Sequence, residues 1–274
     1  MKLKTIEPHG LCAGVNAAIA KAMTLRDVWC LHALVHNETV VNGLKDRGFR
    51  FVERIEDVPD GETVVFSAHG VPPSVREYAA SHGMRVVDAT CPFVARAHGA
   101  ARAFAEWGLP VVVLGDPDHV ETMGIAGEIA AASPGGVVPP LPPPGGRIGV
   151  VSQTSMNADD VERQVGELRK TYEVEFASGV CRATKDRQDA VRRFCASGGG
   201  ERLAVLVLGS RTSANARRLA EVATKCGVSA FMAGTAGELE SIDFSGIDTL
   251  GVTSGASTPE SLFAETLDRL RSMA

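Results

Sequence analysis

Three cysteines, Cys12, Cys91 and Cys181, each stand where an apolar, strand-like run gives way to a loop, at intervals of 91 − 12 = 79 and 181 − 91 = 90 residues in a chain of 274. Thiolates are soft ligands that select zinc, Cu(I) or iron-sulfur clusters, and three of them leave one position of a tetrahedral centre, or one iron of a cluster, open to chemistry. The competing reading is three small core residues, because free cysteine is among the most buried residue types and none of the three belongs to a CxxC pair. Their settings favour the chemical reading. Cys12 lies in His9-Gly10-Leu11-Cys12-Ala13-Gly14-Val15, whose glycines permit close backbone approach, and Cys91 precedes Pro92 at a predicted helix start. Cys30, Cys195 and Cys226 lack such surroundings and are expected to be packing residues.

Positioning these residues requires a scaffold in which Val/Ile/Leu-rich runs alternate with helical patterns, the signature of parallel-sheet α/β units. The predicted strands are 2–6, 29–35, 63–67, 84–87, 110–114, 148–152, 203–208 and 249–253, and the predicted helices are 13–25, 38–47, 74–82, 93–107, 158–172, 185–195, 214–226 and 259–273. Several strands run into loops of small, polar, helix-capping residues, such as Ser67-Ala68-His69-Gly70, Ser152-Gln153-Thr154-Ser155 and Thr253-Ser254-Gly255-Ala256-Ser257. Loops at that end of a strand are where α/β sheets bind ligands. The near-equal cysteine spacing predicts a three-fold pseudo-repeat of small α/β domains, spanning 13–91, 92–177, and 178–274 together with 1–12. The Pro/Gly-rich stretch 134–146 reads as a surface loop of the middle domain.

Composition narrows the function. With 45% hydrophobic residues the chain is long enough to bury a sizeable core. Lys and Arg number 28 against 33 Asp and Glu, a net charge of −5, which favours neither nucleic acid nor an anionic membrane as a partner. No apolar stretch approaches the roughly 18 residues that a membrane helix needs, and no signal-type apolar region opens the chain. A cytoplasmic location, where thiols stay reduced and available to metals, is the expectation.

Eight short segments occur in order: Gly10-Leu11-Cys12-Ala13-Gly14-Val15, Val35-His36-Asn37, Phe66-Ser67-Ala68-His69-Gly70-Val71, Asp88-Ala89-Thr90-Cys91-Pro92, Gln153-Thr154, Cys181-Arg182-Ala183-Thr184, Ser213-Ala214-Asn215 and Gly255-Ala256-Ser257. Together, over nearly the whole chain, they resemble the LytB family, the 4-hydroxy-3-methylbut-2-enyl diphosphate reductases of non-mevalonate isoprenoid synthesis. The resemblance implies three α/β domains arranged as a trefoil around a central 4Fe-4S cluster. It further implies that Cys12, Cys91 and Cys181 hold three irons while the fourth meets a small-molecule substrate, with a ferredoxin or flavodoxin as electron donor. His36, His69, Ser213, Asn215 and Ser257 are then substrate-binding donors near predicted helix N-termini, and Thr154 a hydroxyl beside the reacting group.

The chain departs from the family where a Gly-His-Pro-Glu segment is expected and Gly115-Asp116-Pro117-Asp118-His119-Val120-Glu121-Thr122-Met123-Gly124 is found. Anchored on Pro117 and on Thr122-Met123-Gly124, Asp116 stands for a substrate-binding histidine and Asp118 for the proton-relaying glutamate. The alternative register, in which the loop bulges and His119 and Glu121 take those places, is disfavoured by Pro117. In the first register Asp116 faces a diphosphate, and like charges ~4 Å apart repel by roughly 4 kcal/mol at an effective dielectric of 20. Ala214 also replaces a family serine. These changes point to reductive elimination of a hydroxyl or amine from a divergent, less anionic substrate. The ordinary isoprenoid reaction and a non-catalytic iron-sulfur or zinc sensor stand as alternatives.

Overall fold

The computed structural model describes residues 1–177 and 179–273; Ser178, where the third domain is expected to begin, and Ala274 lie outside them. The strands are β1 (Lys2–Thr5), β2 (Trp29–Leu31), β3 (Arg50–Val52), β4 (Thr63–Phe66), β5 (Arg85–Asp88), β6 (Val111–Leu114), β7 (Arg147–Ser152), β8 (Glu173–Ala177), β9 (Leu203–Leu208), β10 (Ser229–Ala233) and β11 (Thr249–Ser254). The helices are α1 (Ala13–Met23), α2 (Glu38–Lys45), α3 (Pro73–Ser81), α4 (Pro92–Glu106), α5 (Val120–Ala132), α6 (Ala158–Leu168), α7 (Arg182–Ala196), α8 (Ala214–Lys225) and α9 (Glu260–Met273). The α/β class with parallel sheets is as expected. Strands β3, β8 and β10 and helix α5 are absent from the sequence-derived set, and the other elements fall within a few residues of it. No helix among the described residues is long and apolar enough to cross a membrane.

Residue contacts divide the chain into two compact units, one of Met1–Ala13, His36–Val40 and Arg182–Ala274, the other of Gly14–Val35 and Val41–Cys181. The first unit holds a fully parallel sheet in the order β1-β11-β9-β10. Its central strand β9 is an unbroken apolar run whose Ala204–Leu208 are each at most 1% exposed, because both faces are covered. Val205 and Val207 pack under α7 and α8 with Val191, Phe194, Leu219 and Val222, while Leu206 and Leu208 pack under Phe263 and Leu270 of α9. Each such Val or Leu, fully removed from water, contributes ~1.5–3 kcal/mol.

The second unit holds two parallel sheets, β3-β2-β4-β5 and β6-β7-β8. In β7, Val151 faces Phe104 of α4 and Ile125 of α5, whereas Ile148 and Val150 face Val161 and Val165 of α6. One packing device occurs in both units. A Cβ at Gly149 of β7 would lie 2.6 Å from the ring of Phe104, and one at Gly251 of β11 would lie 2.6 Å from the ring of Phe194. Each phenylalanine follows a candidate metal-binding cysteine by the same interval, 104 − 91 = 13 and 194 − 181 = 13. The glycines are needed so that these helices can lie close on their strands.

Helices α3, α4 and α5 meet at Glu128, whose side chain is 1% exposed. It pairs with Arg76 of α3, with Arg102 Nε of α4 at 3.1 Å, and with His98 Nδ1 at 3.3 Å. Burial pushes this carboxyl up, but the bonds from His98 and Arg76 and the charges of Arg76 and Arg102 outweigh it and hold its pKa at about 2. A folded pKa below the unfolded value near 4.3 gives stability that is present above pH ~4.3 and lost as pH falls toward 2, here on the order of 3 kcal/mol. Glu128→Gln is therefore expected to lower the urea midpoint most at pH 7, with the gap to wild type closing below pH ~4. A gap independent of pH would contradict this account.

Candidate active site

Each of the three sheets ends in the same backbone arrangement. Cys91 follows β5, Cys181 follows β8 and Cys12 follows β1, each an edge strand, and each cysteine immediately precedes a helix, α4, α7 or α1. The cysteine N–H donates to a carbonyl two residues beyond the end of the neighbouring strand: Cys91 to Ala68 after β4 (68 − 66 = 2) at 3.0 Å, Cys181 to Thr154 after β7 (154 − 152 = 2) at 3.1 Å, and Cys12 to Ala256 after β11 (256 − 254 = 2) at 3.0 Å. All three cysteines are half-buried. A helix N-terminus favours negative charge, so the backbone at each of these positions suits a sulfur that binds a metal. Cys91 caps α4, with Pro92 in the first turn where its missing N–H costs nothing. A Cβ on Gly14 would lie 2.4 Å from the Cys91 sulfur, so only glycine leaves that atom its space. The loop bearing Cys12 is fixed by Arg187, itself 3% exposed, whose guanidinium donates to Gly10 O at 2.8 Å, and by Gly10 N–H donating to Ser254 Oγ at 2.7 Å. Three thiols at equivalent points suit a soft metal centre.

In the second unit, Thr154 meets a buried carboxylate. Its N–H donates to Glu121 Oε1 at 2.6 Å and its hydroxyl to Glu121 Oε2 at 3.1 Å, while its carbonyl receives the Cys181 N–H. Glu121 is 2% exposed and opens α5. His119 caps that helix: its Nδ1 accepts from Glu121 N–H at 3.1 Å, which leaves Nε2 to carry the proton of the neutral ring. The His119 ring stands edge-on to His69 with centroids 5.5 Å apart, and His69 Nδ1 lies 3.3 Å from Ser67 Oγ.

The register built on Pro117 is corrected here. Asp118, expected beside Thr154, is exposed, and its N–H folds back onto Asp116 Oδ1 at 3.2 Å. Asp116, expected among the substrate donors, closes its own loop, its N–H donating to Gln153 Oε1 at 3.0 Å. The carboxylate against Thr154 and the imidazole beside His69 belong instead to Glu121 and His119, three positions on, at 121 − 118 = 3 and 119 − 116 = 3. They are the pair that the alternative register names, and the His-x-Glu spacing at the start of α5 is the signal that favours it over Pro117.

In the first unit, the expected donors are also structural. Ser213 caps α8, its hydroxyl accepting from Ala216 N–H at 3.4 Å. Asn215 accepts from Ala256 N–H and donates to Thr184 Oγ1, both at 3.1 Å, tying α8 to α7 and to the loop after β11. Ser257 Oγ donates to His36 O at 3.0 Å. Ser213 keeps its O–H and Asn215 one amide N–H to donate to a ligand, whereas the O–H of Ser257 is taken by His36 O.

Burial pushes the Glu121 carboxyl up to about 7, against the lowering effect of the two bonds from Thr154. Because the folded pKa lies above the unfolded value near 4.3, this group costs the fold stability as pH rises from there toward 7 and above. Infrared spectra are expected to show a protonated-carboxyl band that persists above pH 6 and is missing from Glu121→Gln. Loss of that band by pH 5 in wild type would contradict the assignment.

The family profile described as LytB protein matches residues 3–271. The chain is 37% identical over 290 residues to the 4-hydroxy-3-methylbut-2-enyl diphosphate reductase of Hahella chejuensis, covering 100% of this chain and 90% of that protein. It is 37% identical over 293 residues to the reductase of the same name from Azotobacter vinelandii, covering 99% and 90%. The structure of the E-1-hydroxy-2-methyl-but-2-enyl-4-diphosphate reductase from Plasmodium falciparum superposes with a TM-score of 0.88 at 29% identity, over 97% of this chain and 87% of that one. With its cysteine loops, its parallel sheets and these matches over nearly every residue, the chain belongs to the LytB family.

Proposed function

We propose that this chain reduces 4-hydroxy-3-methylbut-2-enyl diphosphate, replacing the allylic hydroxyl by hydrogen to give isopentenyl and dimethylallyl diphosphate. The reaction consumes two electrons and two protons and releases the hydroxyl as water. The buried Glu121–Thr154 pair, joined through the Thr154 carbonyl to the Cys181 N–H, carries this reading. Cys12, Cys91 and Cys181 would hold a 4Fe-4S cluster, and the donor set fits: three soft thiols at equivalent strand ends, one of them given room by Gly14. When bound, such a cluster supplies the electrons, taken from a ferredoxin or flavodoxin, and a Lewis-acidic iron.

The chain's own part is proton handling and anion binding. With its pKa near 7, Glu121 carries a proton in about half of the molecules at neutral pH. In that form its contact with Thr154 reverses, Glu121 donating to Oγ1 and Thr154 passing its own O–H proton to the departing hydroxyl. His36, His69 and His119, with Ser213 and Asn215, supply donors for the diphosphate, and Ser257 joins them only by turning its O–H away from His36 O. The less anionic substrate rests on Asp116 facing that diphosphate. Asp116 closes its loop instead, and His119 brings an imidazole to His69, so of the departures only Ala214 remains, a single lost donor worth ~1 kcal/mol.

Anaerobically reconstituted protein, given the diphosphate and a reduced viologen, is expected to form both products. Glu121→Gln should lower kcat by about 10²–10⁴-fold, and Asp118→Asn should leave it unchanged. The reverse pattern would restore the unshifted register, and no turnover by wild type would remove the proposal. Independently of activity, Gly14→Ala should lower the iron and sulfide content and the visible absorption, because its methyl group competes with the Cys91 sulfur.

A further inference from the structure

Helices α7 and α8 are tied together at both ends. Near their starts, Asn215 donates to Thr184 at 3.1 Å. Near their ends, Cys195 packs against the cluster that contains Leu219, Val222 and Ala223 of α8, and Cys226 caps α8 through its N–H to the Val222 and Ala223 carbonyls at 3.1 Å. The Cys226 thiol is near enough to that of Cys195 to act on it. Cys226 is exposed and Cys195 half-buried, so the sequence reading of Cys226 as a packing residue does not hold. Cys195 also borders a cavity of about 600 Å³ with Gly198, Arg202, Gly227 and Ser229, which brings solvent to the buried side of the pair. Thirteen residues (195 − 182 = 13) at 1.5 Å rise place Cys195 about 20 Å along α7 from its first residue, the one next to Cys181.

We infer that Cys195 and Cys226 form a reactive dithiol site that takes low-molecular-weight disulfides of the glutathione type and closes reversibly to an intramolecular disulfide, separate from the three cysteines assigned to the metal centre. In the first step the Cys226 thiolate attacks one sulfur of the small disulfide. A Cys226 mixed disulfide forms and one small thiolate leaves, taking a proton from solvent. In the second step Cys195 gives its proton to solvent base and its sulfur attacks the Cys226 sulfur, expelling the second small thiolate. The two protein thiols lose two electrons and two protons, and the small disulfide gains them as two thiols. With Cys195 packed against the end of α8 that Cys226 caps, side-chain rotation is the movement that closes the ~2.05 Å bond. Burial, with Cys226 beside it, pushes the Cys195 thiol up to about 11, which makes the second step the slower one and more so at lower pH.

The test treats the anaerobic full-length holoprotein with glutathione disulfide at pH 8, blocks remaining thiols with iodoacetamide and maps peptides without reduction. Wild type is expected to yield one linked peptide pair, Cys195 with Cys226, two hydrogens lighter than the free pair and reopened by dithiothreitol, while visible absorption is retained. Cys195→Ser should trap a glutathionyl group on Cys226, and Cys226→Ser should show neither product. The inference is overturned if wild type keeps a stable glutathionyl adduct on Cys226 with no link, if neither thiol reacts, or if the link reaches Cys12, Cys91 or Cys181. The wild-type map decides even where a serine variant fails to fold.

Discussion

The structure depends on one backbone hydrogen bond made three times, from the N–H of a cysteine to the carbonyl two residues past the adjacent strand. Each bond contributes only ~0.5–1.5 kcal/mol net, yet it sets where a sulfur stands relative to a sheet edge and where the next helix begins. Because donor and acceptor are both main chain, the side chains around them are unconstrained by the bond itself. The accepting residues are Ala68, Thr154 and Ala256, and the residues following them are His69, Ser155 and Ser257. A repeated geometry therefore coexists with thirds of the sequence that scarcely resemble one another, and one of the three acceptors could become Thr154, which also presents a hydroxyl to Glu121.

Two carboxylates on a single helix show how strongly surroundings decide chemistry. Glu121 and Glu128 lie 128 − 121 = 7 residues apart on α5, and both are almost fully enclosed. Glu128 faces two guanidinium groups and an imidazole and is held at about 2. Glu121 faces a hydroxyl and an amide, which soften its burial without cancelling it, and rises to about 7. The first is an anchor that stays charged. The second can hold a proton at neutral pH, and such divergence between neighbouring acids is the mark of a division of labour.

The sequence made the central strands legible because they are continuous apolar runs, and β9 was placed residue for residue. The missed strands share a position. Strands β3, β8 and β10 lie at sheet edges, where Glu173 and Glu175 or Arg50 can point to water and break the apolar pattern. Helix α5 fails for the opposite reason. Wedged against α3 and α4, it carries glycines where a side chain would strike Pro72 or His98, and apolar or buried residues on more than one face, so no amphipathic stripe marks it. Missing that helix displaced the candidate acid and imidazole by three residues. The cysteines, Thr154 and His69 were legible from short motifs, whereas the partner of Thr154 required the third dimension.

The phenylalanines thirteen residues after Cys91 and Cys181, seated on Gly149 and Gly251, carry a consequence for chain length. A single residue added between cysteine and ring would swing the ring by ~100° around the helix and lift it off its glycine. Insertions and deletions are thereby shut out of α4 and α7, which act as rulers of fixed span. They are left to stretches such as the proline-rich segment 134–146, where growth or shrinkage moves no sulfur.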